Sequence, residues 1–168
     1  AYTEVTLSLA YKIGLFFSNV NKQIVIGIDP RDSSEELAYA LLRGLKKHPN
    51  VKYAGVIPTP GLMYYSLKNK IIAIMVTASH NPAKYNGYKC YDPNGYQMTD
   101  EAAEKTYNYI QNIDMFTGVK TMSFDDALAE DMVDFIEDWL YDEFYAKVIS
   151  SLVNPDAIKK AGLKVIYT

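Results

Sequence analysis

The sequence is short of cysteine, of excess positive charge and of long apolar runs, and each shortage excludes something. Cys90 is the only cysteine, so no internal disulfide can form and a reducing, cytoplasmic setting is expected. A formal net charge of -3 leaves no broad basic surface, which argues against a nucleic-acid partner. A few local cations would still serve a small anionic substrate. No apolar run approaches the roughly 20 residues of a membrane-spanning helix, and no signal-peptide pattern opens the chain, so no membrane is expected. Repeats and low-complexity tracts are absent too. The chain opens without methionine, directly in helix-like sequence, which predicts a piece of a longer protein.

What is there suits a folded domain. Of 168 residues, 49% are apolar, enough for one domain with a real core and part of a second. The spacing of Val5, Leu9, Ile13 and Phe16 predicts a helix over Glu4 to Phe17, capped by Thr3. "QIVIGID" is a buried-strand pattern. Ser33 and Glu36 have capping-box spacing ahead of a leucine-rich helix that runs to His48 and Pro49. "KYAGVI" reads as a second strand, ended by Pro58-Thr59-Pro60. A short helix over Leu62 to Leu67 precedes the third strand, "IIAIMV". Strand, helix, strand, helix, strand with short links predicts a parallel sheet covered by helices. "GYKCY" and "GYQM" flank the turn Asp92-Pro-Asn-Gly95, predicting an antiparallel hairpin edge. Thr99 caps a helix through about Ile110. A long amphipathic helix is expected from about Asp131 to Ser150, with Val133, Ile136, Leu140, Phe144 and Val148 as its stripe. Asn154-Pro155 opens another short helix, and "LKVIYT" reads as the first strand of something new.

The stretch "VTASHNPAKYNGYK" follows the third strand. In open α/β sheets ligands bind outside the carboxyl ends of strands, and of the three loops there this one is the longest and most polar. It holds Ser79, His80, Asn81 and Asn86, with Pro82 and Gly87 shaping the backbone, and Lys89 stands ten residues after Ser79. A serine hydroxyl needs a base, a lowered pKa or a metal to act as a nucleophile. Facing phosphate it also needs cations, for which Arg31 and Lys89 are available, with His80 as base or hydrogen-bond donor. A plain polar loop, whose Ser and Asn bond backbone groups, fits the same residues. A Ser-His hydrolase fits them less well, because no G-x-S-x-G elbow and no orienting acid accompany the pair.

"TASHNP" followed by "YNGYK" resembles the active-serine loop of the α-D-phosphohexomutases, the phosphoglucomutase and phosphomannomutase superfamily. "GIDPRDSS" resembles the family's G-x-D-x-R segment, and "PTPGL" its P-T-P turn. The likeness continues through "NIDMFTGVKTMSFDDALAE", "SLVNPDAIKKAG" and "LKVIYT", as in the bacterial phosphoglucomutase branch that also takes pentose phosphates. It implies a three-layer α/β/α sandwich with a mostly parallel sheet and an antiparallel hairpin edge. Residues 1–150 would be domain 1 of a four-domain enzyme, and 151–168 a linker and the first strand of domain 2. Ser79 would be the phosphoserine, with His80 supporting the reacting oxygens and Lys89 an acid/base or charge-stabilising group. Arg31, Asp29, Asn81 and Asn86 would support the phosphate site. Mg²⁺ would bind an oxygen of the Ser79 phosphate and be shared with domain 2, and glucose 1,6-bisphosphate would be the activator. The expected partners are a phosphosugar and the remaining domains of the same chain. The G-T-x-G-x-R segment expected before Ala1 is missing, as are the D-G-D-x-D-R metal loop and the sugar- and phosphate-binding loops of later domains. This stretch alone is therefore expected to be inactive. Glucose phosphate is the expected substrate of the parent. A phosphomannomutase, a phosphoglucosamine mutase and a non-catalytic phosphosugar-binding module are the alternatives.

Overall fold

The computed structural model describes residues 5–20, 22–45, 51–114, 124–131, 133–136, 139–152 and 154–167. Thr3, His48, Pro49 and the side chain of Leu140, which figure in the expectations above, lie outside them. By compactness the chain divides into two units, Ala1–Ile136 and Glu137–Thr168, where the sequence expectation set the break at 150/151.

The first unit holds α1 (Leu7–Phe17), β1 (Ile24–Ile28), α2 (Ser34–Gly44), β2 (Val51–Val56), α3 (Thr59–Asn69), β3 (Ile72–Val76), β4 (Tyr88–Tyr91), α4 (Asp100–Gln111), α5 (Phe124–Ala129) and β5 (Asp134–Phe135). The strands form one sheet in the order β4-β3-β1-β2-β5. β1 is parallel to β2 and β3, β2 is parallel to β5, and β4 runs antiparallel to β3.

Every residue of β1 and β3 is buried, as expected for central strands covered on both faces. The chain moves one way from β1 to β2 and back across β1 to reach β3. Right-handed crossovers in opposite directions must put their helices on opposite faces. So Leu37, Leu41 and Leu42 of α2 join Ile24, Ile26 and Ile28 in the main core, with Ala10, Ile13 and Phe17 of α1. On the other face α3 lies so close to β1 that a Cβ on Gly27 would stand 2.6 Å from Ile57 and 3.1 Å from Leu62. This is a three-layer α/β/α arrangement with a mostly parallel sheet and one antiparallel edge. No helix among the described residues is long and apolar enough to cross a membrane.

Several local expectations are corrected. The cap of α1 is Thr6, whose hydroxyl accepts from the Leu9 N–H at 3.1 Å, one turn later than Thr3. Ser33 makes no capping-box bond. Its backbone is already right-handed, φ -88° and ψ -5°, where a cap needs extended geometry, and its hydroxyl accepts from Asn86 instead. α3 starts three residues earlier than expected, because Thr59-Pro60 lies inside its first turn, where proline is tolerated. The antiparallel edge is β4 against β3, while "GYQM" contributes only the bridge between Gln97 and Tyr91. The helix expected from Asp131 to Ser150 forms only over Trp139–Ser150. Asp131 takes φ 51°, which ends a right-handed helix, and Asp134–Phe135 adds to β2 with the Ile136 N–H bonded to Tyr53 O at 3.1 Å.

The second unit comprises α6 (Trp139–Ser150) and α7 (Pro155–Ala161). Asn154 caps α7, its side chain accepting from Ala157 N at 3.0 Å, and Gly162 closes it at φ 58°. The segment Leu163–Tyr167 is exposed and belongs to no strand among the described residues.

Candidate active-serine site

Two strand ends meet at the site. β1 delivers Asp29 and Arg31, and β3 delivers Thr77 and the loop to Gly87. The Asp29 N–H donates to Val76 O at 3.2 Å, and the Thr77 N–H donates to Gly87 O at 2.9 Å, which closes the loop.

Ser79 sits at the exposed tip with φ 56°. A left-handed backbone costs a non-glycine residue about 1–2 kcal/mol, so neighbouring groups must impose it. Both of its flanking peptide groups are held. The Ser79 N–H donates to Thr77 Oγ1 at 2.9 Å, and the Ser79 carbonyl accepts from Arg31 Nη2 at 2.8 Å.

Arg31 organises the whole loop. Nη2 also donates to Asn81 O at 2.9 Å, while Nη1 donates to Pro82 O at 2.7 Å and Tyr85 O at 3.0 Å. Nε donates to Asp29 Oδ2 at 2.8 Å. All five guanidinium N–H groups are engaged. These bonds make Arg31 the tie that shapes the loop.

Asp29 is the hub beneath. Oδ2 also accepts from Thr77 Oγ1 at 2.7 Å, and Oδ1 accepts from Ser34 Oγ at 2.8 Å. The Asp29 and Arg31 side chains are only 17% and 10% exposed, so this ion pair is largely shielded from solvent. Burial alone would raise the Asp29 pKa, but the hydrogen bonds from Thr77, Arg31 and Ser34 outweigh it and hold the carboxyl below its ordinary value of 3.8. Asn86 ties the far end of the loop to α2. Its Nδ2 donates to Ser33 Oγ at 3.0 Å and Ser34 Oγ at 2.9 Å, and its Oδ1 accepts from Gly87 N at 2.9 Å.

The remaining candidates lie around the tip. His80 and the side chain of Asn81 are exposed beside Ser79. Lys89 is half-buried on β4, level with Met75, and no hydrogen bond joins it to Ser79 among the described residues. Cys90 packs against the core, and burial pushes its thiol up to about 12, so it is inert at neutral pH. Sequence reasoning missed Thr77 and Ser34. The only signals were a hydroxyl just after β3 and a serine five residues after Asp29.

Among the described residues no three His, Cys, Asp or Glu side chains group as metal ligands. The one acid at the site, Asp29, already accepts from three side chains.

Comparison with known proteins agrees with this geometry. The family model described as "Phosphoglucomutase/phosphomannomutase, alpha/beta/alpha domain I" matches residues 2–116. The chain is 32% identical over 178 residues to a phosphoglucosamine mutase of Clostridioides difficile, covering 97% of this chain and 40% of that protein. It is 38% identical over 118 residues to a phosphoglucosamine mutase of Fusobacterium nucleatum, covering 66% and 26%. In fold it is similar to a phosphoglucomutase/phosphomannomutase family protein of Burkholderia thailandensis, with a TM-score of 0.60 at 22% identity, covering 90% of this chain and 32% of that one. The chain thus spans about two fifths or less of the length of these relatives. With the serine loop, its arginine tie and the α/β/α layering in place, the chain belongs to the phosphoglucomutase/phosphomannomutase family, as its domain I.

Proposed function

We propose that this chain is the serine-bearing first domain of an α-D-phosphohexomutase, and that Ser79 carries the phosphoryl group. What supports this is the exposed Ser79, forced to φ 56° at the mouth of the sheet by bonds to both flanking peptide groups. An ordinary polar loop has no need to hold a serine in an unfavourable backbone at its most exposed point.

The reaction moves one phosphoryl group at a time. The bond between phosphorus and Ser79 Oγ breaks as a hydroxyl of the sugar monophosphate forms its own bond to phosphorus. The hydroxyl proton passes to a base, for which Lys89 and His80 are the candidates. The bisphosphate then turns over and returns its other phosphoryl group to Ser79. With the donors of Arg31 committed to the loop and Asp29, charge on the transferring group would be met chiefly by other cations.

Mg²⁺ would supply that neutralisation, bound through an oxygen of the Ser79 phosphate. One such oxygen falls short of the roughly six ligands a hard divalent cation takes, so the remaining ligands would be water and groups elsewhere in the protein. On this reading the 168 residues alone turn over no sugar phosphate. For the sugar itself, the names of the similar proteins favour glucosamine phosphate over the glucose phosphate read from sequence.

Intact-mass measurement of the full-length protein tests the reading. A phosphate-sized increment that disappears in Ser79→Ala is expected, together with loss of turnover across glucose, mannose and glucosamine phosphates. A protein that takes no increment after treatment with any of the sugar bisphosphates would instead be a binding module.

A further inference from the structure

The geometry points to Thr77 as a positioning residue for Ser79, acting by closing a ring of hydrogen bonds around it; this rests on Ser79 being the phosphoryl carrier. The ring runs from the Ser79 N–H to Thr77 Oγ1 at 2.9 Å and from the Thr77 hydroxyl to Asp29 Oδ2 at 2.7 Å. It continues through Arg31 Nε, which donates to the same Oδ2 at 2.8 Å, and returns through Arg31 Nη2 to Ser79 O at 2.8 Å. It starts and ends on one residue and grips the peptide groups on either side of it.

The direction of each bond is forced. An ionised carboxylate only accepts and a guanidinium only donates. Thr77 must therefore send its single hydroxyl proton to Asp29, which leaves its lone pairs facing the Ser79 N–H. No rotation of that hydroxyl can serve Asp29 and also release the serine. Thr77 is 6% exposed, so water cannot readily take its place. Arg31 alone would hold the carbonyl side of Ser79, and Thr77 supplies the amide side. With both in place, φ and ψ are fixed and the hydroxyl is presented in one direction, the condition for an in-line approach to a bound sugar phosphate.

The test uses the full-length protein with Thr77→Val, which keeps the shape of the side chain and removes its hydroxyl, and Thr77→Ser, which keeps the hydroxyl. Thr77→Val should lower kcat roughly 10- to 100-fold with little change in KM, because sugar binding is left intact. Thr77→Ser should recover most of that loss. Unchanged kcat in Thr77→Val overturns the inference, as does a Thr77→Ser variant impaired as deeply as Thr77→Val. A second measurement needs no variant. The Ser79 amide of the wild-type protein, followed by NMR, should exchange with solvent at least about 10-fold more slowly than an unbonded amide, despite its exposed position. Free exchange overturns the ring even where Thr77→Val does not fold. Exchange does not depend on turnover, so a protected amide in a protein that never takes phosphate would sink the phosphoryl-carrier reading and leave the ring standing.

Discussion

At the scale of single residues, the site is a division of labour that residue type alone does not reveal. Arginine near a candidate phosphoserine invites a reading as a phosphate-binding cation, yet here its N–H groups are spent on the loop and on Asp29. The planar fork makes this possible, since five donors in fixed directions can serve several carbonyls at once. The serine, histidine and asparagines of the loop were legible from their order in the chain. Thr77 was not, because its partner Asp29 is brought to it only when β1 and β3 pair, and Ser34 was not, because its bond to Asp29 depends on how the loop between β1 and α2 turns. The same hub yields a pH prediction. Asp29 is held below its ordinary pKa, so its bonds stabilise the fold fully above the unfolded-state value and are lost as pH falls through the folded one. Asp29→Asn should therefore lower the urea midpoint near neutrality, and the gap from wild type should close as pH drops below about 4. Urea unfolding of both proteins from about pH 6 down to about pH 2.5 reads this directly. A gap that stays constant into the acid range would show that Asp29 does not act through its charge.

At the scale of elements, periodicity carried the central sheet and failed at its margin. β1 and β3 are continuous apolar runs and could be read as buried strands; α4 and α7 announced themselves through Thr99 and Asn154. β5 could not be read, since a pair of residues joins the sheet only because β2 offers an open edge, and the flanking Val133 and Ile136 also fit a helical stripe. The α1–α2 contact was equally hidden. The two helices cross so closely that a Cβ on Gly44 would lie 2.1 Å from Tyr11 O and 2.7 Å from the Gly14 Cα. In sequence both glycines look like ordinary weak points of a helix. Gly44→Ala gains up to about 1 kcal/mol of helix propensity, but it forces backbone from backbone, and overpacking costs about 1–3 kcal/mol or more. The clash should win, giving a net loss of about 2 kcal/mol. Gly61→Ala in α3 is the contrast, because its Cβ would meet Ile57 at 3.4 Å, an ordinary contact, and stability should hold or rise. Denaturant midpoints of the two variants decide it. Equal losses would mean that the close crossing has no special cost.

At the scale of the whole chain, the two units differ in how they treat apolar surface. In the first, Ile24, Ile26 and Ile74 are completely shielded and Val76 with them, so the centre of the sheet is covered, and of the apolar residues in its described strands only Val56 and Phe135 stand open, at the β2–β5 edge. In the second, Val165, Ile166 and Tyr167 are 84%, 90% and 97% exposed, and Ile149 and Leu152 of the α6 end are also open. A run of β-branched and aromatic residues without proline, exposed and in no strand among the described residues, is a ready partner for another strand. The 168-residue chain on its own should accordingly self-associate as concentration rises, detected as a growing mass by light scattering on a sizing column. Ending the chain after Gly162, or placing a charge there with Ile166→Lys, should shift it back toward monomer without lowering the urea midpoint of the sheet unit, because none of these residues belongs to its core. A chain that stays monomeric at every concentration, and behaves the same after truncation, would show that this segment folds back on its own unit rather than seeking an edge elsewhere.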